Sequence, residues 1–191
     1  MATYEEDRKF TELFTPEIQK ICGQVFIKPA PFQIDCHEAT DLLVLEITPI
    51  KIACRVRRFE YYCKYRGQFT IRAKRPSGVK TELKKIEEGW CDYLFYGFSN
   101  PFNDGSGFMA WMIGNLNVFR YEWARVFKRV PDDGGPTIKF EYHTNPDNSS
   151  SFYAYYVESF PKNFIVAQEG FIYPLSNIGQ LDDDWGDDIP F

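Results

Sequence analysis

The residues best equipped for chemistry lie between Lys51 and Lys85. Twelve lysines and arginines stand there against two acids, Glu60 and Glu82, a local balance of +10 that takes more than half of the 22 basic residues in the chain. The run "RVRRFEYYCKYRGQFTIRAKR" interleaves those cations with rings. Cations track phosphates, and flat rings stack on unpaired bases, so the pattern points to nucleic-acid binding. Arg55, Arg57, Arg58, Lys64, Arg66, Arg72, Lys74 and Arg75 are the candidate charges, and Tyr61, Tyr62 and Phe69 the candidate stacking rings. The plainer reading is a solvated charged sheet face beside a core of rings. The last eleven residues, "LDDDWGDDIPF", carry five aspartates and no base, so the net charge of −5 conceals one strongly positive stretch and one strongly negative tail.

Other reactive groups give less. Five cysteines (Cys22, Cys36, Cys54, Cys63, Cys91) are widely spaced with no pair at CxxC distance, and the histidines are His37 and His143. Neither a zinc site nor a disulfide framework is expected, and reduced thiols fit a cytoplasmic setting. "NDGSG" at 103–107 is Gly-rich but lacks the lysine of a phosphate-binding loop, and reads as a plain loop. Glu82 reads as a helix-surface carboxylate that could also reach the basic sheet. No stretch reaches the length of a membrane span, and no basic-then-apolar leader opens the chain.

The elements that must position these residues follow from periodicity. Apolar residues at 10, 13, 14, 18 and 21 predict one helix over 4–25, with Thr3 as its cap. "TDLLVLEI", "IKIACRVRRFEYY" and "GQFTIRAK" read as three strands. Alternation would put Arg55 and Arg57 on one side of the second strand and Cys54, Val56 and Arg58 on the other; Arg72 and Lys74 repeat the spacing, and paired strands would gather these four cations. "SGVKTELKKIEEGW" predicts a helix capped at Ser77, with Val79, Leu83 and Ile86 on one face and Gly89 as its stop. Next come a short strand "CDYLFYGF" buried on both faces, more strand in "FMAWMIGNLNVF", a short helix in "YEWARVFKRV", a turn at "DDGG" and a hairpin around 145–151. The expectation is one mixed α/β (α+β) nucleic-acid-binding domain over 1–174, then a flexible acidic tail over 175–191.

The order of elements over residues 4–98 resembles the PD-(D/E)XK nuclease core: helix, three strands, helix, strand. In that family an aspartate and an acid-x-Lys pair hold a divalent metal and place the attacking water. Asp41 in "EATDLLVLE" stands where the family aspartate would be, and is the one catalytic candidate. The acid-x-Lys position reads Arg55-Val56-Arg57, which puts positive charge where a cation would sit unless Glu46 or Glu60 substitutes. The resemblance therefore implies a domain that binds nucleic acid and does not cut it, with no cofactor. Magnesium or manganese is implied only for a divergent nuclease that kept its activity.

"DWGDDIPF" resembles the C-terminal tip of bacterial single-stranded DNA-binding proteins, matched at Asp187, Asp188, Ile189, Pro190 and Phe191. In that family the tip docks enzymes of DNA replication, recombination and repair. The resemblance implies a partner-binding peptide in which Phe191 enters an apolar pocket, its carboxylate meets a basic rim, and Trp185 adds an anchor. The helices at 4–25 and 77–90 separate the remainder from the five-stranded barrel of that family. The leading expectation is a single-stranded DNA-binding protein that recruits partner enzymes, not an enzyme itself. The alternatives are an inactive or divergent nuclease, or a phage or mobile-element protein that imitates the tip to occupy a host enzyme.

Overall fold

Pro16 decides how the chain begins. It has no N–H to give a helix ladder, and its ring crowds the carbonyl four residues back, so it is tolerated only in a first turn. The computed structural model, which describes residues 4–29, 42–44, 50–128 and 137–171, accordingly has two helices where periodicity predicts one: α1 (Tyr4–Leu13) and α2 (Thr15–Phe26), hinged at Phe14. Thr3, Asp41, Glu46, the "DDGG" turn and the whole tail 175–191 lie outside the described residues.

The strands are β1 (Ile27–Pro29), β2 (Leu42–Val44), β3 (Ile52–Arg57), β4 (Gln68–Lys74), β5 (Tyr93–Ser99), β6 (Phe108–Asn115), β7 (Phe140–Thr144), β8 (Ser151–Tyr156) and β9 (Ile165–Glu169). Among the described residues β1 and β2 pair by themselves. A four-stranded sheet runs β3-β5-β6-β9, with β3 parallel to β5 and the other pairs antiparallel. A three-stranded antiparallel sheet runs β4-β8-β7. The expected pairing of the two basic strands is therefore corrected: β3 and β4 belong to different sheets. The hairpin β7–β8 and the buried strand β5 are as expected, and β9 carries no signal beyond five ordinary residues.

One strand boundary and two helical boundaries also move. β3 stops at Arg57 instead of continuing to Tyr62, because the Phe59 N–H donates to the Asn103 side chain (3.2 Å) and not to a ladder. A 3-10 turn at Phe59–Tyr61 and a single turn α3 (Tyr62–Tyr65) follow. Helix α4 (Glu82–Glu87) is capped by Thr81, whose hydroxyl accepts the Lys84 N–H at 3.3 Å, so Ser77 is no cap and Val79 lies exposed. Gly89, at φ +77°, ends it as predicted. Helix α5 (Leu116–Val126) begins earlier than expected because the Asn115 side chain accepts from the N–H groups of Asn117 (2.9 Å) and Val118 (3.4 Å).

These elements make a mixed α+β fold around two cores. Strand β5 divides them by alternation: Leu94, Tyr96 and Phe98 face the first core, and Phe95 faces the second. The first core lies between the two sheets, with Phe69 and Ile71 from β4, Leu83 and Ile86 from α4, and Phe119 and Trp123 from α5. The second packs Phe10, Phe14, Ile18 and Ile21 of α1 and α2 against Val56, Phe95 and Ile113 of the four-stranded sheet. Among the described residues no helix is long and apolar enough to cross a membrane.

Candidate nucleic-acid interface

The positions of the basic residues follow from the two cores. Val56 points to the α1–α2 side, so Arg55 and Arg57 point to the opposite side, as alternation predicts. Arg55 is not free for a ligand. Its guanidinium donates to Glu82 Oε2 at 3.0 Å and to the Thr70 carbonyl at 3.4 Å, with only 20% of its side chain exposed. The same carboxylate oxygen accepts the Arg72 N–H at 3.1 Å. Glu82 thus reaches the basic strands and ties β3, β4 and α4 together. The Arg72 guanidinium is half-buried, and burial, then its neighbours Arg55 and Arg75, lower its pKa. Arg55 and Arg72 are brought together, but around a carboxylate. A register shift between Arg72 and Lys74 interrupts the alternation that was expected to align them.

Of the predicted rings, Phe69 is withdrawn: it is fully buried, stacked on Tyr155 (5.2 Å) and Phe164 (5.5 Å), and cannot meet a base. Tyr62 is half-buried against Phe98 (5.8 Å) and Phe59 (6.4 Å). Tyr61 and Tyr65 are the accessible rings, 42% and 36% exposed, with centroids 6.3 Å apart across the α3 turn. Arg57 sits 4.4 Å from the Tyr61 centroid and Lys64 5.5 Å from that of Tyr65. Arg58 lies on the other side, 4.5 Å from the Phe10 ring of α1. Two exposed tyrosines with two cations held against them make a polar-edged stacking surface. Arg66 and Arg75 are half-buried, and Lys64 and Lys74 exposed.

Sequence reasoning missed Tyr65 and two further exposed rings, Trp90 and Phe102. Trp90 follows the glycine stop of α4 and is approached by Lys80 (5.2 Å) and Lys85 (5.6 Å). Phe102 lies in the loop 100–107 that joins β5 to β6. The only sequence signal for either is a lone ring among polar or basic neighbours.

That loop is more than a plain connector. The Asn103 side-chain oxygen accepts the Phe59 N–H and the Ser99 hydroxyl, and its amide donates to Glu60 at 3.4 Å. The loop is therefore joined to the turn that carries Tyr61. The Asp104 carboxylate accepts from the Ser106 hydroxyl (2.7 Å), the Ser106 N–H (2.9 Å) and the Asn100 amide (3.0 Å), which pull its pKa down to about 2.

Among the described residues no group of three His, Cys, Asp or Glu could hold a metal ion; Asp41 lies outside them. Cys22, Cys54, Cys63 and Cys91 are free thiols, with Cys54 and Cys63 exposed. His143 is exposed on β7 and meets Glu141 at 3.0 Å. No protein-family model matches this chain, and neither a curated protein nor a solved structure matches it.

Proposed function

We propose that this chain binds single-stranded DNA in replication, recombination or repair, in the cytoplasm, and recruits partner enzymes through its Asp-Asp-Ile-Pro-Phe run. The observation that carries the reading is the exposed pair Tyr61–Tyr65 with Arg57 and Lys64 held over the rings. Stacking gives sequence-tolerant affinity for unpaired bases, and the cations supply the phosphate term. The aspartates of residues 182–188 would steer the tail to a basic pocket rim on a partner, with Ile189 and Phe191 as its apolar anchors.

Labelled single- and double-stranded oligonucleotides titrated across salt concentrations test the first part. The expected result is preference for single strands, and a log–log salt slope that Arg57→Ala makes shallower by roughly 0.7. Absence of binding at low salt overturns it. For the second part, deleting Asp187–Phe191 is expected to abolish capture of replication and repair enzymes while oligonucleotide affinity stays intact.

The nuclease resemblance of residues 4–98 enters this proposal only as an order of elements, since β3 and β4 lie in different sheets and Arg55-Val56-Arg57 stands at the acid-x-Lys position. Magnesium- or manganese-dependent cleavage abolished by Asp41→Asn would replace binding with a divergent nuclease. The helices between the strands favour one further reading, imitation of the tip by a protein unrelated to barrel-type single-strand binders. Under that reading the tail functions with no DNA binding by the folded domain.

A further inference from the structure

We infer that Phe102 is a stacking residue for an unpaired base, and that the loop 100–107 exists to hold its ring out. This rests on the single-strand reading above and extends it to a surface outside the basic run.

Phe102 is 80% exposed, more than any other large apolar side chain among the described residues. A single exposed apolar residue is ordinary; one held by a dense hydrogen-bond network is not. The Asn100 side-chain oxygen accepts the N–H groups of Phe102 (3.1 Å) and Asn103 (2.9 Å). Its amide donates to Asp104 (3.0 Å) and to the Ser106 hydroxyl (2.7 Å). Gly105, at φ +84°, lies so close to α1 that a Cβ there would be 2.6 Å from the Leu13 carbonyl oxygen. The loop is thus set before any ligand arrives, which lowers the entropy lost on binding.

Its position suits a ligand shared with Tyr61. The loop leaves the carboxyl end of β5, and Arg57, Arg58 and the Tyr61 turn leave the carboxyl end of β3, its parallel neighbour. Asn103 joins the two segments through Phe59 and Glu60. The nearby acids are bonded to neutral donors, Asp104 within its loop and Glu60 to Asn103, so cations must outweigh them wherever a phosphate approaches. Arg57 beside Tyr61, and Arg58 over Phe10 on the other side of β3, are the cations that leave this end of the strand and could meet phosphates. An unpaired strand has phosphates and base faces to give, whereas a duplex keeps its base faces covered.

The test measures the full chain on single-stranded oligonucleotides that contain 2-aminopurine, across salt, for wild type, Phe102→Ala, Phe102→Trp and Arg57→Ala. Phe102→Ala is expected to weaken binding about 5- to 150-fold, the loss of one stacked base, with an unchanged salt slope and thermal midpoint. Phe102→Trp is expected to restore affinity, and Arg57→Ala to change the slope. Wild type that fails to bind at low salt removes the single-strand reading itself. Wild type that binds while Phe102→Ala binds equally well, or loses salt slope together with affinity, overturns the stacking role and leaves that reading standing.

Discussion

Arg55 and Arg58 lie three positions apart and are put to opposite uses. Arg55 closes an ion pair with Glu82 whose side chains are only 20% and 27% exposed, whereas Arg58 lies on the surface over Phe10. Removing one partner from a largely covered, hydrogen-bonded pair leaves the other charge poorly solvated. Arg55→Ala is therefore expected to cost roughly 1–2 kcal/mol in urea unfolding, and Arg58→Ala less than about 0.5 kcal/mol. Equal losses would contradict this division. A drop in DNA affinity for the Arg55 variant would then report on the fold and not on a contact. Composition revealed the density of charge, but not which cations are consumed internally, because Glu82 lies 27 residues from Arg55 along the chain. The rings posed the same difficulty. Phe69 and Tyr61 stand in one basic run, and only the packing of the second sheet decides that one is core and the other surface.

Elements were legible where one residue governs them. The glycine end of α4, the hairpin turn before β8 and the doubly buried β5 follow from local chemistry. The break at Pro16 and the cap at Asn115 were equally local, yet apolar periodicity running through both positions hid them. The loop 100–107 was opaque because its order comes from side chains bonding to its own backbone, which no periodicity records. It also carries a pH dependence with a definite sign. The folded Asp104 pKa of about 2 lies below its ordinary 3.8, so the bonds to Ser106 and Asn100 stabilise fully above about pH 4 and are lost as pH falls through 2. Amide exchange at Ser106 is expected to quicken over that interval relative to β5. Asp104→Asn should remove this relative change, and a Ser106-to-β5 exchange ratio indifferent to pH in the wild type would refute the assignment.

Across the whole molecule, Phe69 is where both sheets meet the helices. Its ring contacts Tyr96 of β5, Phe119 of α5, Tyr155 of β8, and Phe160 and Phe164 beyond it. Phe69→Ala is expected to cost about 3–5 kcal/mol, a large share of a typical domain's stability, and to lower the urea midpoint without changing the slope. A loss below about 1 kcal/mol would mean the sheets do not depend on this ring. The division into two sheets was not readable from the sequence, since β4 finds its neighbour far along the chain: Arg72 pairs with Phe152, 80 residues later (152 − 72). During synthesis that interval is a waiting time. Strand β4 leaves the ribosome with Phe69 and Ile71 uncovered, long before the strand that pairs with it among the described residues has been made. Two nascent copies side by side on one messenger would meet edge to edge, and Arg72 and Lys74 would then repel each other across the new pair. Positive charge on this strand would oppose such pairing before the chain is folded.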